Sequence, residues 1–118
     1  MSDQCADPFS AKVVQASAGT LLSLWIRKSS RYLEMAEKMK REGYFLVTAD
    51  LRGKSDTGPL LTHDRLILAL GSEASGASKG LKDLSDYGLL LPILRNHAES
   101  LNVASCGAIL MYLSATRK

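Results

Sequence analysis

The 118-residue chain has no apolar run approaching the roughly 20 residues of a membrane-spanning helix, so no helical span and no membrane partner are expected. Cysteine is scarce. Cys5 sits in a polar leader and Cys106 in an apolar segment, which makes neither a disulfide framework nor a metal-ligand spacing. No metal is therefore expected, and a thiol-reducing compartment is, the cytoplasm or an organelle. His63 and His97 stand far apart in sequence, each read as a surface or loop residue rather than a ligand. Met1 to Asp7 lacks the charged and apolar blocks of a signal peptide and the arginines of a transit peptide. Neither sign of charge dominates: 15 basic against 12 acidic residues give +3, which admits a nucleic-acid partner without requiring one. A phosphate loop is also missing. Gly71 and Gly76 have suitable spacing, but Ala77 and Ser78 stand where Lys and Ser/Thr are needed. Glu73 would place a carboxylate in the anion nest, so a nucleoside or cation-bearing ligand suits the loop better than a triphosphate.

What is present is ordinary for one globular domain, with 46% hydrophobic and 23% charged residues. Asp7-Pro8 reads as a helix start, N-cap followed by proline at the first helical position, with the helix stopping near Gly19. Leu21 to Ile26 is read as a short buried strand. Ser29 or Ser30 caps a second helix with Tyr32, Leu33, Ala36 and Met39 on one face and Gly43 at its end. Tyr44 to Ala49 is a strand and residues 52 to 63 a polar loop. Leu66 to Leu70 is apolar throughout, the pattern of a strand buried on both faces of a parallel sheet. A glycine-serine loop follows from Gly71 to Gly80, then a strand centred on Leu89 to Leu91 and ended by Pro92. Ser100 opens a last helix, with Val103, Gly107, Leu110 and Met111 on one face and Tyr112 close by. Strands alternating with helices predict an α/β fold, a mainly parallel sheet with flanking helices.

Chemistry concentrates in two places. The turn from Gly71 to Gly76 follows a buried strand, where open α/β sheets bind ligands, although glycines there also serve a plain strand-to-helix turn. The second place is Leu91-Pro92-Ile93 with Ser100 to Val103. Ser100 is well suited to be a cap alone, whereas Asn102 lies inside the first turn with its amide free to face a ligand. Arg27, Lys28 and Arg31 cluster with Trp25 and Tyr32, a group that suits phosphates and bases but is commonly just a solvated helix start.

The two constellations, in this order and at this separation, resemble the second and third signatures of the SpoU methyltransferases. Leu68 to Gly76 resembles the apolar strand running into Gly-x-Glu-x-x-Gly, and Leu91 to Ile93 with Ser100 to Val103 resembles the third; Ala16 to Gly19 also resembles a family segment. The resemblance implies a C-terminal trefoil knot, S-adenosyl-L-methionine as cofactor, and 2′-O-ribose methylation of tRNA or rRNA by a homodimer. It implies that Gly71, Leu91, Ile93 and Leu101 hold the donor, with Thr48 as an edge contact, and that Glu73, Ser100 and Asn102 are the polar catalytic positions. The family's first signature, with an asparagine and an assisting arginine, is expected upstream of residue 1, since Met1 to Gln4 carries neither and Arg27 is the first arginine. An N-terminally truncated, partial domain lacking its first βα unit is the expectation. Donor binding would survive there while catalysis is weak or absent. The alternative is a non-catalytic RNA-binding or dimerisation module that keeps the fold.

Overall fold

Phe45 to Ala49 and Leu66 to Ala69 are too apolar for either to leave a face in water, and they pair side by side as parallel strands. In the computed structural model, residues 1–2, 5, 7, 9–10, 24–71, 78–90 and 103–116 are described. They form helix α1 (Tyr32–Arg41), strand β1 (Phe45–Lys54), the short helix α2 (Gly58–Thr62), strand β2 (Leu66–Ala69), helix α3 (Lys79–Leu84), strand β3 (Tyr87–Leu89) and helix α4 (Val103–Ala115). The chain divides into two compact units, Met1–Met35 and Ala36–Lys118.

In the second unit the described strands make a three-stranded sheet in the order β2-β1-β3. Both pairings are parallel. Leu46 lies opposite Ile67 and Val47 opposite Leu68 on one side, and Val47 opposite Tyr87 and Thr48 opposite Gly88 on the other. The period of two then sorts the residues between two layers. Val47 and Leu89, with Phe45, Ala49, Leu66, Leu68 and Tyr87, pack against Leu60 of α2 and against Cys106, Leu110 and Leu113 of α4. Leu46 and Ala69, with Ile67, pack against Ala36 of α1 and against Leu81 and Leu84 of α3. Leu46, Val47 and Leu60 are completely buried, each contributing roughly 1.5–3 kcal/mol by leaving water. The expected α/β class with a parallel sheet and flanking helices is what the chain adopts.

Local chemistry sets the boundaries. The Ser29 hydroxyl accepts from the Arg31 N–H at 3.0 Å ahead of α1, and Glu34 in its first turn and Lys38, Lys40 and Arg41 in its last complement the helix dipole. At its end the Tyr44 N–H donates to Met39 O and the Gly43 N–H to Lys40 O. That is the pair of bonds in a Schellman stop, and Gly43 takes the left-handed φ of 98° it requires. The Phe9 N–H donates to the Asp7 carboxylate at 2.9 Å, as an N-cap should receive it. Phe9 and Ser10 form a turn, with the Ser10 N–H donating to Asp7 O at 3.4 Å, and the rest of that expected first helix, from residue 11, lies outside the described residues.

Several expectations are corrected. Of the strand read over Leu21 to Ile26, residues 24–26 form no strand, and Leu24 and Trp25 are exposed. β1 does not stop at Ala49 but runs to Lys54, so residues 52–54 are strand rather than loop. Pro59 then serves in the first turn of α2, where its missing N–H is harmless. The Gly71 to Gly80 loop is shorter than expected, because Ser78 caps α3 by accepting from the Leu81 N–H at 3.3 Å. β3 is Tyr87–Leu89, beginning before the expected Leu89 and leaving Leu90 outside it, while Leu91 lies outside the described residues. On α4 the inward face is Cys106, Gly107, Leu110, Leu113 and Ser114, while Met111 and Tyr112 point outward. His63 is half-buried, stacked on the Phe45 ring at 3.9 Å between centroids, with Nδ1 2.9 Å from Pro59 O.

A polar latch ties the second unit together. The Asp86 carboxylate accepts from the Leu46 N–H at 2.8 Å, and the Asp86 N–H donates to Leu46 O at 2.9 Å. The Lys40 ammonium from α1 lies 3.2 Å from the same carboxylate and also donates to Leu84 O at the end of α3. Both side chains are largely shielded, unlike those of the exposed Arg31–Glu34 pair. Asp86→Ala is expected to lower the unfolding free energy in urea by about 1–3 kcal/mol, because it leaves a shielded N–H and an ammonium without their acceptor. Arg31→Ala should cost at most about 0.5 kcal/mol. Equal losses would contradict the latch.

Candidate functional site

Because all three strands run the same way, their carboxyl ends meet at one edge, where parallel sheets place their ligands. β2 ends there at Ala69 and hands on to Leu70 and Gly71; β3 ends at Leu89 and hands on to Leu90. Gly71 and Leu90 are half-buried and Leu70 is partly exposed. α4 reaches the same edge. A Cβ on Gly107 would lie 2.7 Å from Leu70 Cδ1, so the glycine is what lets the leucine seat against the helix. Gly107 of α4 is thereby brought against the residue that follows β2.

Thr48 stands on the central strand opposite Ala69 and Gly88. Its side chain is 1% exposed and its hydroxyl is 3.0 Å from the Ser85 hydroxyl. Ser85 lies 2.9 Å from Tyr87 O and accepts from the Tyr87 N–H at 3.2 Å. A consistent proton assignment has Thr48 donating to Ser85 and Ser85 donating to Tyr87 O. The Thr48 hydroxyl is thus engaged inside the fold, and this residue serves the edge through its place on the strand. Of the other expected site residues, Gly71 is described at the edge; Glu73, Leu91, Ile93, Ser100, Leu101 and Asn102 lie outside the described residues, as does His97.

β1 overshoots β2 and builds one wall of the edge. Ala49 and Lys54 both register with Leu89, so Asp50 to Gly53 bulge outward before the strand rejoins β3, where the Leu90 N–H donates to Lys54 O at 2.8 Å. Rejoining requires glycine. A Cβ on Gly53 would sit 2.5 Å from the carbonyl carbon and oxygen of Gly88, inside any tolerable contact. The Asp50 carboxylate accepts from the Arg52 N–H at 2.9 Å, fixing the bend, and the Tyr87 hydroxyl donates to Asp56 O at 2.7 Å just beyond it. Desolvation, then the Asp56 charge, push the Tyr87 phenol above its ordinary pKa. This bulge was not foreseen; the signal for it was Gly53 and Gly88, each beside residues able to form strand. Among the described residues no group of three or more His, Cys, Asp or Glu is placed to hold a metal, and no helix is long and apolar enough to cross a membrane.

The model of the SpoU rRNA methylase family matches residues 1–112. The chain belongs to the SpoU rRNA methylase family. Among SpoU relatives, a protein of Staphylococcus haemolyticus assigned to the TrmH family of tRNA/rRNA methyltransferases is 25% identical over 85% of this chain and 40% of its own length. An uncharacterised tRNA/rRNA methyltransferase of Mycobacterium tuberculosis is 27% identical over 92% of this chain and 38% of its own. The SpoU methyltransferase AviRb of Streptomyces viridochromogenes, solved with AdoMet, superposes with a TM-score of 0.80 at 27% identity, over 97% of this chain and 47% of that one. A Porphyromonas gingivalis protein placed in the TrmH family gives 0.80 at 32% identity, over 96% of this chain and 46% of that one. The chain thus spans about two fifths of the length of the curated relatives it matches.

The close approach at the SpoU sheet edge makes an asymmetric prediction. Gly53→Ala is expected to cost about 1–3 kcal/mol in chemical denaturation, because its Cβ meets rigid backbone. Gly88→Ala meets only the Asp50 side chain and Gly53 Cα at 3.4–3.7 Å and should change stability by less than about 1 kcal/mol. The reverse order would show that the bulge is misplaced.

Proposed function

We propose that this SpoU chain binds S-adenosyl-L-methionine at the carboxyl edge of its sheet and serves 2′-O-ribose methylation of tRNA or rRNA. The observation that carries the reading is the carboxyl edge of the parallel sheet, where β2 hands on to Leu70 and Gly71 and Gly107 of α4 seats against Leu70. The residues described there fit a nucleoside-bearing donor: Leu70, Gly71 and Leu90 offer apolar surface beside backbone, next to the wall that Asp50 to Gly53 build. Gly71, Leu91, Ile93 and Leu101 hold the donor, largely through backbone groups, with Thr48 fixing the strand beneath. When bound, the donor supplies a methyl group on a sulfonium centre. Glu73, Ser100 and Asn102 orient the ribose and ease removal of the 2′-OH proton, since in-line attack needs both positioning and a proton acceptor.

The last helix is read as the knotted element of the domain, tucked through a preceding loop. Self-association fits its composition, for α4 carries no charged residue and leaves Ile109, Met111 and Tyr112 exposed opposite its buried face. A second reading, an RNA-binding or dimerisation module that keeps the fold without methyl transfer, rests on the apolar face that α4 leaves exposed at Ile109, Met111 and Tyr112.

Calorimetric titration with S-adenosylhomocysteine separates these readings from a fold without a donor site. Saturable binding near one site per chain is expected. A folded sample that binds nothing would sink the donor site. Methyl transfer from labelled donor to RNA, with the product resistant to alkaline cleavage at the modified ribose, then separates enzyme from module.

A further inference from the structure

Trp25, the chain's one tryptophan, is fully exposed, and Leu24 beside it is 66% exposed. Neither has a hydrogen-bond or ring partner among the described residues. Arg27, Lys28 and Arg31 follow, all exposed, and no acidic residue falls between Leu24 and Leu33. Arg31 is paired with Glu34 at 3.3 Å, but both partners are open to solvent and such a pair exchanges readily for a phosphate. From Leu24 to Lys28 the backbone is neither helix nor strand. It is held at Ser29, which bridges to Ser2 and whose N–H donates to Met1 O at 2.9 Å. The segment therefore presents a large aromatic face and several cations on a tethered, open stretch of chain.

A solvated helix start accounts for the cations but not for an indole left in water, since tryptophan is among the residues most strongly driven to burial. A purely apolar partner accounts for the indole but would strand the cations. Both are satisfied by a single strand of nucleic acid, whose bases stack on aromatic faces while its phosphates take the cations. We infer that Trp25, Arg27, Lys28 and Arg31 form a single-stranded RNA contact, Trp25 as the stacking platform and the basic side chains as phosphate ligands. The inference rests on the methyltransferase reading and adds to it a substrate-holding segment within the first compact unit, separate in sequence from every residue assigned to the donor or to proton removal.

The lone tryptophan supplies its own probe. An unstructured oligoribonucleotide about twelve nucleotides long should quench Trp25 fluorescence saturably, and the quenching should be relieved by salt. By anisotropy of labelled RNA, Trp25→Ala is expected to weaken binding roughly tenfold, with Trp25→Tyr restoring most of it. The double variant Arg27→Gln/Lys28→Gln should flatten the log–log salt dependence by about 1.4. S-adenosylhomocysteine binding should be unchanged in all of them, which also shows that they fold. RNA binding with unaltered Trp25 emission would overturn the inference and put the contact elsewhere. A concentration-dependent blue shift without RNA would overturn it in favour of a second copy covering the indole. Donor binding without RNA binding would overturn this inference alone, whereas loss of both by a folded chain would remove the methyltransferase reading beneath it.

Discussion

The structure depends on burying β1 from both sides. Leu46 and Val47 are adjacent, fully buried, and point into opposite layers, so neither layer can be removed without exposing one of them. Ala36, Leu81 and Leu84 close one side; Leu60, Cys106, Leu110 and Leu113 close the other. A strand covered in this way must have neighbours at both edges, and the connecting helices make those neighbours parallel. Parallel pairing in turn gathers every strand's carboxyl end at one edge, so the position of a ligand site follows from the way the core is built.

Polar groups near that core are disposed so that none competes for the site. The Thr48 hydroxyl is taken up by Ser85, and the Leu46 amide and carbonyl at the open side of β1 are taken up by Asp86. Lys40 then neutralises Asp86 while holding the end of α3. These bonds are individually modest, about 1 kcal/mol each, but leaving any of the shielded groups unmatched costs more. The bulge from Asp50 to Gly53 works differently. It depends on the absence of a side chain at Gly53, and backbone packed on backbone gives a rigid wall beside a site that needs positioning more than chemistry.

Periodicity and capping made the layered architecture readable in advance. The unbroken apolar run Leu66 to Leu70 could only be a strand buried on both faces, and Ser29 with Gly43 bracketed α1 closely. What escaped had local signals overridden by tertiary partners. Arg52, Gly53 and Lys54 look like loop because glycine and charge usually mark one, yet Gly88 across the sheet draws them into strand pairing. α3 was hidden in a glycine-serine stretch whose start signal, Ser78 ahead of Leu81 and Leu84, is only one turn long. For the site, residue types at Glu73, Ser100 and Asn102 suggested chemistry, but the contact that brings α4 to the end of β2, Gly107 on Leu70, is long-range and carries no sequence pattern.

The central claim is that the segments following β2 and preceding α4 close on a common ligand at the sheet edge. Amide hydrogen exchange with and without S-adenosylhomocysteine tests it directly. Slowed exchange confined to peptides covering Leu70 to Ser78 and Leu89 to Val103, with Phe45 to Thr48 already protected in both states, is the predicted result. Protection appearing elsewhere, or in only one of the two segments, would contradict a site built from both.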